Sequence, residues 1–205
     1  MLFGDTSIER LIAGVIALLV GLTFHEFSHA LVADQLGDRR PRAMGRLTLN
    51  PIPHIDPLGA VMLVVAGFGW AKPVMVNPAA LRDGRRGMAL VAFAGPIANV
   101  VVAVGFASLY RVLGIAGVED GFFLRLVELI VTLNLLLAIF NLVPIPPLDG
   151  YNVLIAFLPP RQAMVVRQYA PYGVIILLVL VFLPGSPLRG LLGLAGPLSR
   201  ALTGA

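Results

Sequence analysis

Long uncharged stretches, separated by short clusters of charge, organise this chain. Residues 11–24 are apolar, and the run continues past His25 and Glu26 to Ala33. Residues 88–110, 129–148 and 168–188 carry no charge. A helix of about 20 apolar residues crosses roughly 30 Å of hydrocarbon, so the pattern predicts four full spans near 8–36, 88–112, 123–143 and 168–184. Residues 58–71 are equally apolar but short and glycine-rich. They read as a re-entrant segment, which is tolerated at membrane depth only where it is buried in protein or lines a cavity. Residues 191–198 are too short to span alone. Before the re-entrant stretch, residues 46–59 (RLTLNPIPHIDPLG) alternate in polarity and are rich in proline. That opposes helix and predicts a short strand-like loop, whose edge could receive an extended peptide by strand addition.

Composition turns this pattern into a class. The chain is 58% hydrophobic and 13% charged, with a mean hydropathy of +0.91, whereas an ordinary soluble domain is about half apolar and a quarter charged. So few charges cannot cover a soluble surface. The fold class is an all-α polytopic membrane protein: about four transmembrane helices plus the re-entrant segment and the strand-like loop, forming one domain over 1–205 in contact with membrane lipid. There is no cysteine, so disulfides and thiolate ligands are excluded. The net charge of +4 does not point to a nucleic-acid partner; in a membrane protein, excess Lys and Arg mark cytoplasmic loops. Residues 37–87 hold Arg39, Arg40, Arg42, Arg46, Lys72, Arg82, Arg85 and Arg86, while 111–128 hold only Arg111 and Arg125 beside Glu119, Asp120 and Glu128. The first region is therefore expected in the cytoplasm and the amino terminus outside, in a prokaryotic plasma membrane. A full span at 58–71 would send one basic cluster across, which favours re-entry. The start, MLFGDTSIER, carries Asp5 and Glu9 and no leading basic residues, unlike a cleaved signal peptide.

The chemistry sits inside the first span. His25-Glu26-Phe27-Ser28-His29 places two imidazoles at i and i+4, on one helix face, with a carboxylate between them. That is the pattern by which two histidines reach one metal while the glutamate acts as base to its water. Purely structural histidines are the competing reading. Ionisable groups at the centre of a membrane helix, however, cost about 2.5–3.5 kcal/mol each on insertion scales. A catalytic zinc takes three protein ligands and keeps one position open. The chain has three histidines in all, so the third ligand is His54 or a carboxylate. The candidate carboxylate is Asp149, which could otherwise serve as the N-cap of a following helix. Depth provides a check. His25 lies about 21 Å of helical rise beyond Leu11, in the cytoplasmic half. The third span, entering from outside, reaches Asp149 at its inner end, where Pro144, Pro146 and Pro147 stop the helix.

HEFSHA together with NLVPIPPLDG (141–150) resembles the site-2 protease family of intramembrane zinc metalloproteases, over residues 20–152 and within a core spanning 8–152; the last span and tail occupy 153–205. The resemblance implies one Zn2+ per chain held by His25, His29 and Asp149, with Glu26 as catalytic base. It also implies a transmembrane protein as substrate, cut within or near its membrane segment as in regulated intramembrane proteolysis, with the active site toward the cytoplasm. Gly95 and Asn99 resemble the family's Gly-x-x-x-Asn signature. Asn99 or Asn141 could hydrogen-bond substrate backbone or the oxyanion, or could simply bond between helices. His54 with Asp56 resembles a compact branch of the family without PDZ or nucleotide-sensing domains. There His54 could stabilise the transition state, act as a fourth ligand at rest, or be an ordinary loop histidine. A membrane metal transporter or a non-catalytic scaffold for transmembrane helices could use the same ligands. The first has no need of Glu26 beside them, and the second none of the full set.

Overall fold

A computed structural model describes residues 8–66, 69–118 and 121–204. Asp5 with its amino-terminal stretch, and Glu119 and Asp120 of the charge argument, lie outside the described residues, as do 67 and 68 of the re-entrant stretch. Among the described residues, three helices are long and apolar enough to cross a membrane, α1 (Ile8–Gln35), α4 (Arg85–Ile115) and α5 (Phe122–Asn141), and a bent pair later in the chain makes a fourth if it counts as one span. Between the first two lie α2 (Arg40–Ala43) and α3 (Pro57–Ala66). After α5 come α6 (Asp149–Phe157), α7 (Pro160–Gln168), α8 (Gly173–Phe182), α9 (Pro187–Leu192) and α10 (Ala195–Thr203).

The core is the mutual packing of α1, α4 and α5. On α1 the buried residues Ala13, Ala17, Gly21, His25, His29 and Ala33 recur every fourth position. On α4, Gly87, Val91, Gly95, Asn99, Ala103 and Ala107 do the same. Both are four-residue ridges, the rows that interdigitate when helices pack. Most of their members are small, which lets helix backbones approach without a hydrophobic driving force from lipid. The two histidines are members of the α1 ridge, so the row that brings the helices together also aims the imidazoles into the bundle.

The segment between α1 and α4 leaves and returns through one point. Ile55 and Ala71 form an isolated antiparallel bridge, and the Lys72 N–H donates to the His54 carbonyl at 2.8 Å. A Cβ on Gly59 would collide with the Trp70 backbone, so glycine is what permits the returning chain to pass. The strand-like loop expected at 46–59 is not formed, and no strand occurs among the described residues. Residues Ile52–His54 make a 3-10 turn instead. Pro51, Pro53 and Pro57 lack the N–H groups a ladder needs, and Asn50 and Thr48 side chains take up the Ile52 and Asn50 amides in local turns.

Buried polar groups tie this segment to the end of α1. Arg46 is buried and donates to the carbonyls of Pro53 and Lys72 at 2.6 and 3.0 Å. Asp38, also buried, accepts from Arg40 and, at 2.6 Å, from the Asn77 amide. The Arg40 guanidinium holds the Asp38 carboxyl below the usual carboxylate range, despite its burial. A carboxyl with a lowered native pKa stabilises the fold above its unfolded value, near 3.9, and loses that contribution as pH falls through the native value. Asp38→Ala is therefore expected to raise amide exchange across residues 72–77 roughly tenfold at neutral pH. Acidification below that unfolded value should loosen the wild-type segment in the same direction, read as protection corrected for the slower intrinsic exchange in acid. Hydrogen–deuterium exchange in detergent measures both.

The fourth span expected at 168–184 is not one straight helix. The run bends by 43° between Pro160–Gln168 and Ala170–Phe182, and α8 alone has 10 residues, about 15 Å. Pro171 and Pro184 bound it. Leu177 and Leu180 of α8 and Leu188 of α9 pack around Val143 and Leu148, beside the turn that follows α5. The chain then runs along α5 as α10. Thr132 donates to the Ser199 hydroxyl at 2.8 Å, and Arg111, near the end of α4, donates to the Ala201 and Leu202 carbonyls.

Candidate metal centre

His25 and His29 come from α1, and Asp149 is the first residue of α6. The N-cap position of α6 is Leu148, with Asp149 already inside the first turn, so Asp149 is not the N-cap. It turns toward α1 instead, with Oδ2 3.0 Å from His25 Nε2 and 3.2 Å from His29 Nε2. The three ligand-type atoms lie within 4.8 Å of one another. Two clamps hold α6 there. Gly150 lies so close to the Leu142 and Val143 carbonyls that a side chain would not fit. At the other end of α6, Arg85 donates to the carbonyls of Ile155 and Leu158.

The far side of each imidazole shows what the cluster accepts. His25 Nδ1 is 2.7 Å from Asn99 Oδ1, and His29 Nδ1 is 2.7 Å from the Val91 carbonyl. Both partners are acceptors, so each Nδ1 carries a ring proton, and in the neutral ring that a metal would bind each Nε2 presents a lone pair. Two lone pairs and the Asp149 Oδ2, which is buried without a hydrogen-bond partner, therefore converge on one point. Three acceptors facing each other require positive charge at their centre. Two neutral imidazoles and a carboxylate suit a zinc ion, whose bonds of about 2.0–2.2 Å in tetrahedral array leave ligand atoms roughly 3.3 Å apart. Gly95 on α4 faces the same point; a Cβ there would lie 2.6 Å from both Nε2 atoms. Glu26, buried beside the ligands, accepts from the Val74 amide at 3.1 Å through Oε2.

A model of peptidase family M50 matches residues 112–183. Among curated proteins, the chain is 42% identical over 176 residues to YwhC of Bacillus subtilis, covering 83% of this chain and 80% of that protein. It is 33% identical over 201 residues to Rip2 of Mycobacterium tuberculosis, covering 89% and 73%. It is 31% identical over 166 residues to MJ0611 of Methanocaldococcus jannaschii, covering 74% of each. All three are named "Putative zinc metalloprotease". This chain belongs to peptidase family M50, the site-2 proteases. No solved structure matches it.

Around the three ligands of this M50 chain the structure redistributes the other expected roles. Asn99 is fully buried, and its Nδ2 donates to the Gly21 carbonyl and to Asn134 Oδ1 at 3.0 and 2.9 Å. Both amide hydrogens are thus taken and its oxygen meets His25, which is the inter-helix bonding that the sequence offered beside an oxyanion role. Asn141 donates to Leu137 of its own helix at 3.0 Å. His54 is buried, with Nε2 at 2.9 Å from the Thr48 carbonyl, and is not among the residues grouped around the metal position. Sequence reading missed Asn134, the Val91 carbonyl and the Val74 amide. A signal existed only for Asn134, an isolated amide in an apolar run. The other two are main-chain groups, which any residue supplies.

Proposed function

We propose that this chain is an intramembrane zinc metalloprotease that hydrolyses peptide bonds within or near transmembrane segments of other membrane proteins. The observation that carries the reading is the convergence of His25 Nε2, His29 Nε2 and Asp149 Oδ2 within an apolar helix bundle, with the Glu26 carboxylate alongside. Zinc held by those three atoms would supply Lewis-acid activation of a water and of the scissile carbonyl. Glu26 accepts the proton that the attacking water gives up and passes it to the leaving nitrogen. Its bond from Val74 occupies Oε2 and leaves Oε1 for that transfer. With Asn99 committed to His25, Asn141 is the amide available to meet the developing oxyanion, since only one of its hydrogens is taken up by Leu137.

Substrate must arrive as extended backbone, because helical amides are internally bonded. A wholly apolar groove of about 700 Å3, lined by Ile139, Leu142, Val143, Pro144, Leu180 and Leu188 among others, opens beside the turn that leads to Asp149 and gives an apolar segment room there. The basic residues of 37–87 support a cytoplasmic opening for the site. The return of 56–70 through the Ile55–Ala71 bridge supports a re-entrant rather than a crossing segment.

The test is zinc content and cleavage of a membrane peptide by purified protein in proteoliposomes, before and after chelation. We expect about one zinc per chain, loss of cleavage on chelation by at least about 100-fold, and restoration on adding zinc. Chelator-insensitive cleavage would sink the mechanism. Zinc-loaded protein that moves zinc across the vesicle and cuts no peptide would instead support the transporter reading.

A further inference from the structure

We propose that Asn134 is a positioning residue that sets which nitrogen of His25 faces the metal, acting through Asn99 across three helices. The proposal rests on the reading of His25 as a zinc ligand and extends it to a residue on α5, a helix that supplies no ligand. A fully buried amide in an apolar helix is costly unless every polar atom is bonded, and the way Asn134 satisfies that demand is directional. Its Nδ2 lies 2.8 Å from the Ile130 carbonyl, one turn back on α5. A carbonyl only accepts, so the nitrogen must face it and Oδ1 must face α4.

That oxygen fixes the next amide. Asn99 Nδ2 sits between Asn134 Oδ1 and the Gly21 carbonyl of α1. Both are acceptors, so Asn99 must present Oδ1 to His25 Nδ1, 2.7 Å away. Facing an acceptor, Nδ1 must carry the single proton of the neutral ring, and Nε2 is left with the lone pair that points at Asp149 Oδ2. Gly21 is part of the arrangement. A Cβ there would meet Leu137 and Asn134 side-chain atoms at 2.7 and 3.3 Å, so the missing side chain is what brings the α1 carbonyl into reach.

The two ligands are therefore secured differently. His29 leans on a main-chain carbonyl, which cannot turn over. His25 leans on a side-chain amide, which can. Turning the Asn99 amide over would place Nδ2 against Nδ1 and drive the ring proton to Nε2, the nitrogen that has to be free. With Asn134 in place that rotation breaks two hydrogen bonds; without it, only the bond to Gly21 resists, and one Asn99 hydrogen is orphaned.

The experiment compares wild type, Asn134→Leu, Asn99→Ala and the double variant in detergent, reading zinc affinity by chelator competition and the tautomers of the metal-free protein by 15N NMR of labelled histidine. With three histidines in the chain, the signals can be assigned. We expect Asn134→Leu to weaken zinc about 10–100-fold and to populate a form of His25 that lacks the Nδ1 proton, while His29 keeps its Nδ1 proton against the Val91 carbonyl. In the Asn99→Ala background, Asn134→Leu should change affinity by less than about twofold, because it acts through Asn99; a merely structural role would give an additive loss. Unchanged zinc affinity in Asn134→Leu, or additive losses, would overturn the proposal. The measurement also stands without a variant: a wild-type His25 with no proton on Nδ1 would overturn it. Wild type that binds no zinc would defeat the metalloprotease reading, and the tautomer comparison would still decide the relay.

Discussion

Replacing Glu26 by glutamine is expected to leave zinc bound and to reduce cleavage of a membrane peptide by about 10²–10⁴-fold, the usual contribution of a positioned general base. The substitution is conservative where the structure makes demands and disruptive only where the chemistry does. Glutamine keeps the length and an oxygen that can accept from the Val74 amide. Glu26 is not one of the three atoms converging on the metal position, so zinc content should match wild type within error. What the amide cannot do is take a proton from the attacking water. Zinc analysis and initial rates on the same preparations provide the check. Wild-type rates in Glu26→Gln would contradict the mechanism, and a matching loss of zinc would mean that Glu26 is a ligand rather than a base.

Gly95→Ala should be nearly as damaging, through the metal rather than the base. The added Cβ would lie 2.6 Å from His25 Cε1, His25 Nε2 and His29 Nε2. The rings cannot withdraw, because each is held from behind by a 2.7 Å bond to α4. Either the imidazoles turn and lose those bonds, or α4 moves away from α1 and disturbs the contacts of Asn99. Zinc affinity should fall at least about 100-fold, and overpacking should cost the fold about 1–3 kcal/mol. Gly105, on the same helix, has nothing within 4 Å of its would-be Cβ, so Gly105→Ala is the control expected to bind zinc normally and unfold no earlier. Chelator competition and thermal melts separate the two variants. Wild-type affinity in Gly95→Ala would mean that the helices have more freedom at the site than their packing indicates.

The legible part of this protein was the part written in local spacing. Spans α1, α4 and α5 follow from runs of uncharged residues, since lipid demands an apolar helix long enough to cross it whatever the neighbours do. His25 and His29 share a face because i and i+4 always do. Asp149 was one candidate third ligand beside His54, and counting depth along two spans agreed with it. The fourth crossing was read as one run, whereas it reaches spanning length only as a pair of helices bent by 43°, and summed hydropathy over 168–184 does not register a bend or the packing beside residues 143–148. The strand at 46–59 failed because alternation was weighed without the donors that its prolines remove.

By itself, then, the sequence determined a polytopic helical membrane protein carrying two histidines and a glutamate on one buried turn, with an aspartate at matching depth. Only the tertiary structure decided which side-chain atoms meet, that Asn99 bonds His25, and that Asn134, Val91 and Val74 stand behind the site. The physical reason is that hydropathy and helical period act along one element, whereas the rotation and offset of one helix against another are set by how ridges of small residues such as Ala17, Gly21 and Gly95 interlock, and no spacing within a single helix carries that information.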